Sequence, residues 1–360
     1  MSVSSLVLAG RLNLLGSQDA SASFSVHDRI RRLASDASVS MKFLGTSLDE
    51  CRMWQTEFAA KLGSLLGPHQ PPKVWRTIVR ETTELDDHHR EEIELEAEGY
   101  PPLPLYRLVP RNASGRLPGV LALHGHGQFG HHAVAGREDL PGIQAVLQKE
   151  NYDYGRQLVR RGYVVAVPCL TPFGVRLGSR EIYQGEDPCA VTFVRLMLLG
   201  KLLISENLRD ALWALELLSS DGRVDSSRLA CVGLSYGGRM TMLTAAVDPR
   251  VRVAVVSGAL NLMQERISAS YSCGAQVIPG LLQYGDTPEI ASLIAPRPCL
   301  WEIGTEDKLI PADRAEDALA RIRRAYKAWG VEDRLLVDRF KGGHRWNGEV
   351  AFRLLKSHLG

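Results

Sequence analysis

Five short apolar runs, at 120–123, 164–167, 229–232, 253–256 and 300–303, constrain this chain more than any other feature. Runs of this kind are found in strands that are covered on both faces of a sheet. Stretches of helical periodicity separate them, at 152–161, 207–219, 239–246 and 312–329. Strands alternating with helices predict βαβ units, hence an α/β fold with a mostly parallel central sheet flanked by helices. A chain of 360 residues that is 45% hydrophobic has enough apolar material for such a core.

The rest of the chain is organised around that pattern. Residues 26–66 read as helices, with Trp54, Phe58, Leu62 and Leu65 at helical spacing before Gly67-Pro68. We expect 1–72 to be an N-terminal helical arm, serving packing or a homo-oligomer contact, appended to a catalytic domain at 73–360. Segments 74–82 and 92–96 alternate as strands around Asp86-Asp87-His88-His89, which predicts an antiparallel hairpin. Residues 260–298, where Gly, Pro, Ser and Tyr interleave, form an irregular insert expected near the active site.

Charge and cysteine usage narrow the partners. The formal net charge is +2 and basic residues are scattered among acidic ones, so no nucleic-acid or anionic-membrane partner is expected. No apolar stretch approaches the roughly 20 residues needed to span a bilayer. The first sixteen residues lack a basic region ahead of their broken apolar segment, and a cytoplasmic location is the expectation. Cys51, Cys169, Cys189, Cys231, Cys273 and Cys299 show neither a C-x-x-C pair nor zinc-ligand spacing, and are expected to be free, buried thiols.

The chemistry centres on Gly233-Leu234-Ser235-Tyr236-Gly237-Gly238, between an apolar run and a helical pattern. A sharp strand-to-helix turn of this form lifts a serine hydroxyl out of a sheet, and glycines flank it because the bend leaves no room for side chains. A serine hydroxyl needs a base within hydrogen-bonding reach and a carboxylate that holds the base. Downstream, 300–303 runs into Gly304-Thr305-Glu306-Asp307, and 335–340 runs into Lys341-Gly342-Gly343-His344. The nucleophile and base are therefore Ser235 and His344, with His358 a weaker rival for the base, and the acid is one of the adjacent carboxylates Asp307 and Glu306.

Acyl transfer also needs N–H donors aimed at an oxyanion. Tyr236, after the nucleophile, supplies one. The loop His124-Gly125-His126-Gly127-Gln128 supplies the other, from His126 or, as the near alternative, Gly127. Its histidines, with His131 and His132, look superficially like a metal cluster. Alternating glycines fit an oxyanion loop better, and neither a metal nor a cofactor is expected. Tyr236 and Trp346, both bulky and next to catalytic positions, are expected to restrict the substrate to short acyl chains, Trp346 as a substrate-binding residue.

Together these residues resemble the α/β-hydrolase superfamily, and within it the dienelactone-hydrolase-like and acetyl-xylan-esterase-like branch of serine esterases. The resemblance covers 75–360 and includes Arg161-Gly162-Tyr163, Phe173-Gly174 and Ile294-Ala295-Pro296-Arg297-Pro298. It implies a carboxylesterase working through an acyl-enzyme on a small ester, and it selects Asp307 over Glu306, since the acid falls three residues after the strand-ending glycine. Ser235 stands where dienelactone hydrolases carry cysteine. Tyr236 and Arg345 stand where acetyl xylan esterases carry Gln and Glu. A peptidase or amidase on the same scaffold, and a non-catalytic binding protein of this fold, are the competing readings.

Overall fold

The computed structural model describes residues 25–111, 114–269 and 273–360. Nine strands form one sheet: β1 (Arg76–Glu84), β2 (His88–Glu96), β3 (Leu103–Pro110), β4 (Leu117–Leu123), β5 (Val164–Pro168), β6 (Val224–Leu234), β7 (Val251–Ser257), β8 (Cys299–Gly304) and β9 (Leu335–Phe340). Their spatial order is β1-β2-β3-β5-β4-β6-β7-β8-β9. The first three strands and the β3–β5 pair are antiparallel, and all pairs from β5 to β9 are parallel. The predicted α/β architecture and the N-terminal hairpin are both present.

Burial follows from position in the sheet. Every residue of β5 and β8 is buried, whereas β1, at one edge, is largely exposed. Charged side chains such as Arg76, Arg80, Glu81 and Glu84 along that edge disfavour pairing with another chain. The sequence did not reveal β3, because Pro104 interrupts a run already preceded by Pro101-Pro102, and proline argues against a strand. Tertiary burial of Leu103, Leu105, Tyr106, Leu108 and Val109 overrides that local signal.

Helices cover both faces. The helices Leu203–Ser220 and Tyr236–Val247 are almost entirely buried and belong to one core. Residues of Ile143–Glu150, Tyr154–Val159 and Glu349–Leu359 fill the other. Among the described residues no single helix is long and apolar enough to cross a membrane.

The N-terminal segment differs from the expected arm. Residues 26–66 divide into helices Val26–Ser35 and Leu48–Leu66. The second begins at a capping box: the Ser47 hydroxyl accepts from the Glu50 N–H at 3.3 Å, and the Glu50 carboxylate accepts from the Ser47 N–H at 2.9 Å. Its buried stripe, Cys51, Trp54, Phe58, Leu62 and Leu66, joins the same core as Leu208 and Trp213. The Leu48–Leu66 helix is thus packed into the catalytic core, while Val26, Ile30, Leu33, Leu44 and Met53 of the same segment stay exposed. Residues 1–24 lie outside the described residues.

This segment also braces the 260–298 insert. The N–H groups of Val39, Ser40 and Met41 donate to the carbonyls of Leu282, Gln283 and Tyr284 at 3.3, 3.1 and 2.8 Å. Phe58 lies under Gly285, where a Cβ would come within 2.6 Å of its ring. The insert carries helices Met263–Ala269 and Thr287–Ser292 and is a folded wall.

If the Leu48–Leu66 helix is part of the core, Phe58→Ala costs about 3–5 kcal/mol of stability, as large-to-small core changes do. Urea unfolding would show it as a lower midpoint in one transition. A cost near zero, or a separate early transition, would restore the picture of an independent arm.

Candidate active site

β6 ends at Leu234, and the helix Tyr236–Val247 starts immediately after Ser235, which holds φ 62° and ψ −122°. This is a costly conformation for a residue with a Cβ, and it persists only where surrounding contacts impose it. A Cβ on Gly237 would stand 1.9 Å from the Leu123 carbonyl oxygen, and one on Gly233 would stand 2.4 Å from the Gly237 carbonyl. The flanking glycines are thus required by backbone packed on backbone. The Ser235 N–H donates to Ser257 O at 2.8 Å, which ties the turn to the end of β7.

Base and acid meet across the neighbouring strands. The Nδ1–H of His344 donates to Asp307 Oδ2 at 2.7 Å. Asp307 Oδ1 accepts from the N–H groups of Leu309 and Ile310 at 2.8 and 3.0 Å, so both carboxylate oxygens are held. Glu306 is exposed, and its N–H donates to Gly342 O at 2.9 Å. Gly304 is glycine for a related reason: a Cβ there would meet the Gly342 and Gly343 carbonyls at 2.6 and 2.5 Å. The acid turn and the histidine loop therefore run in backbone contact. His344 Nε2 is buried without a hydrogen-bond partner among the described residues. Ser235 and His344 line the same cavity, of about 450 Å3. His358 lies in the terminal helix, bonded to its own turn.

The oxyanion loop presses on the elbow. A Cβ on Gly125 would come within 2.8 Å of Leu234 O and 3.0 Å of Ser235 Cβ. The Gly125 N–H is taken by the Tyr152 hydroxyl at 2.7 Å. His126 borders the Ser235 cavity, whereas Gly127 borders only a second pocket that shares His126 and Asp187. Tyr236 is the first residue of its helix, where an N–H has no intrahelical acceptor.

The other histidines serve structure. His124 donates from Nδ1 to Gly125 O at 2.8 Å and accepts at Nε2 from the Leu170 N–H at 2.9 Å. Burial pushes its pKa down to about 4, so it is a neutral brace between the oxyanion loop and the chain after β5. His131 is buried against the Tyr106 ring, and His132 Nδ1 bonds the Tyr106 hydroxyl at 2.8 Å.

Trp346 is corrected: it is fully buried, stacks on Tyr154 with ring centroids 4.9 Å apart, and does not line the cavity. Its backbone N–H donates to Glu150 O at 3.0 Å, so it anchors the chain after His344. Tyr236 does border the cavity, with its hydroxyl accepting from Asn207 Nδ2 at 2.8 Å.

Several site residues were missed. Arg239 sits one turn after Ser235 on the helix, the spacing that could have flagged it, and it lines the cavity while 5% exposed. Its guanidinium donates to Asn261 Oδ1 at 2.6 Å and Thr287 Oγ1 at 3.3 Å, and burial, with Arg266 nearby, lowers its pKa to about 10. Cys273 also lines the cavity; hydrogen bonds from Cys189 and His126 lower its pKa against the effect of burial. Glu302, on β8, accepts from the N–H of Gly348 at 2.7 Å and of Asn347 at 3.3 Å, and burial raises its pKa to about 7.

Comparison with known proteins bears on the fold. The prolyl oligopeptidase family model matches residues 201–265, which span the elbow. A Bacillus subtilis (strain 168) protein named as a hydrolase, YtaP, is 28% identical over 278 residues, 75% of this chain and 88% of its own. A Bacteroides fragilis structure described as an acetyl xylan esterase superposes with a TM-score of 0.73 at 17% identity, covering 88% of this chain and 82% of that one. The chain has the α/β-hydrolase fold. A glucuronoyl esterase from Solibacter usitatus shares that α/β-hydrolase fold at TM-score 0.63 and 15% identity, covering 86% and 94%.

Two substitutions test the site. Asp307→Asn should lower turnover by on the order of 10³ to 10⁴, because the charge that holds the imidazolium is lost. Glu306→Gln should change it about tenfold or less. An inactive Glu306 variant beside a normal Asp307 variant would reverse the assignment.

Glu302 gives a pH test. Its folded pKa of about 7 lies above the ordinary 4.5, so the stability from its neutral form is full below about pH 4.5 and is lost as pH rises through 7. Glu302→Gln should therefore be more stable than the wild type by on the order of 1–3 kcal/mol at pH 8, with no such gain at pH 4.5. Parallel melting curves at the two pH values check it, and a gain of equal size at both would refute it.

Proposed function

We propose that this protein is a serine carboxylic ester hydrolase that acts on short-chain esters, acetyl to butyryl, through an acyl-enzyme. The observation that carries the reading is His344: Nδ1 is bound to Asp307, while Nε2 is buried and unpartnered in the cavity that also holds Ser235. Such a nitrogen is placed to accept a proton, and catalytic hydrogen bonds often tighten only once substrate is present.

In the proposed reaction Ser235 Oγ attacks the ester carbonyl while its proton passes to His344 Nε2. Asp307 stabilises the imidazolium, and the N–H groups of Tyr236 and His126 receive the oxyanion. Collapse of the tetrahedral intermediate expels the alcohol, protonated by His344. Water, deprotonated by the same imidazole, then releases the acid and restores Ser235.

The solved neighbours are esterases, which supports esters over peptides. All nine strands of the described residues belong to a single sheet, so they contain no propeller of the kind that screens peptides in peptidases on this scaffold. A purely binding role is disfavoured because Ser235 and His344 share one cavity and Asp307 is bonded to His344. The short-chain preference rests on Tyr236, a bulky buried residue that borders the cavity beside Ser235.

Ser235→Ala should leave the fold intact and reduce ester hydrolysis by several powers of ten, and a fluorophosphonate probe should label the wild type at Ser235 alone. Across p-nitrophenyl esters, kcat/KM should peak between acetyl and butyryl. Wild-type turnover in the alanine variant would remove the serine mechanism, and equal or higher efficiency on long-chain esters would remove the size preference.

A further inference from the structure

We propose that His126, Cys189 and Cys273 form a binding site for one soft transition-metal ion of the zinc class at the edge of the Ser235 cavity. Their ligand atoms all lie within 4.8 Å of one another, and among the described residues this is the one group of three His, Cys, Asp or Glu donors that converges so closely. His126 Nε2 is 2.8 Å from Cys273 Sγ. Both cysteines are buried, at 3% and 4% exposure, whereas His126 is exposed, which gives an ion a path in.

The donor set fits such an ion. Two thiolates and one imidazole select zinc or similarly soft metals over magnesium or calcium, which require oxygen. Tetrahedral zinc, with bonds of about 2.0–2.3 Å, holds its ligands roughly 3.5 Å apart, so the His126–Cys273 pair opens by roughly 0.7 Å to admit it. Cys189 is the second residue of the helix Pro188–Leu198. When Zn2+ binds, each thiol gives one proton to solvent and the two thiolates balance the charge of the ion. The other cysteines have no such set: Cys231, for example, contacts the Thr241 hydroxyl and Cys169 the Phe173 carbonyl.

The three ligands come from the oxyanion loop, the start of the Pro188–Leu198 helix and the 260–298 insert. One ion therefore ties three walls of the cavity together. His126 and Cys273 also line the cavity, and three protein ligands leave a fourth position for water or a substrate oxygen. The site is independent of the ester-hydrolase reading, and its test does not use activity.

Chelator-treated, reduced full-length protein would be titrated with Zn2+ and, separately, with Co2+ as a spectroscopic probe. Metal analysis should find one ion per chain. Co2+ should produce an intense thiolate-to-metal charge-transfer band, and Zn2+ should raise Tm by a few degrees. Cys189→Ser and Cys273→Ser should each abolish the band and the Tm shift, while far-ultraviolet circular dichroism and a single cooperative urea transition show that the variants remain folded. The proposal is overturned if the wild type takes up no ion, if the variants bind as well as the wild type, or if thiol counting and peptide mapping of the chelator-treated protein find a Cys189–Cys273 disulfide that persists under reduction.

Discussion

The carbonyl of Leu123 and the α-carbon of Gly237 are packed so closely that no side chain could exist between them. That single contact seats the elbow on the end of β4 and forces Ser235 into its left-handed conformation. It also sets the oxyanion loop, because the chain leaving β4 passes directly over the elbow at Gly125. Ser235 and the loop after β4 are thereby fixed by backbone on adjacent strands, the rigid support that a preorganised site needs.

A second backbone contact does the same for the base and the acid. Gly304 lies against the carbonyls of Gly342 and Gly343, so the turn after β8 and the loop after β9 move as one unit. Asp307 is held by two N–H groups on one side and His344 on the other. Beneath them, Glu302 holds the chain at Asn347 and Gly348, and Trp346 roots the same segment in the core. The reactive groups thus gather beyond the carboxyl ends of the parallel strands, where open α/β sheets place their ligands.

The walls of the cavity depend on longer-range packing. The Leu48–Leu66 helix buries one stripe in the main core, and residues 39–41 hydrogen-bond to the insert. The insert in turn brings Arg266, Cys273 and Gln276 to the cavity. The shape of the cavity is therefore set partly by residues near the start of the described chain, far from Ser235 in sequence.

How much was legible follows from the range of the forces involved. The elbow reads directly from Gly233 to Gly238, because strand, turn and helix are adjacent in the chain and the steric demand for glycine is local. His344 and Asp307 read from their loops for the same reason, each lying immediately after an apolar run. Strand β3 was hidden because Pro104 violates local propensity, and only burial against β2 and β5 compensates for it. Trp346 was misplaced because a large aromatic beside a catalytic histidine has the same sequence signature whether it turns toward substrate or toward the core. Cys189, Cys273 and His126 lie in separate segments with no local pattern, and they meet only when the helix Pro188–Leu198 and the insert pack around the oxyanion loop. The sequence by itself determined the α/β sheet, the nucleophile elbow and the loops of the base and acid, since each rests on neighbouring residues. Tertiary structure alone decided the walls of the cavity, the place of Trp346 and the meeting of the two thiols with the imidazole, since burial and convergence arise between segments that share no local signal.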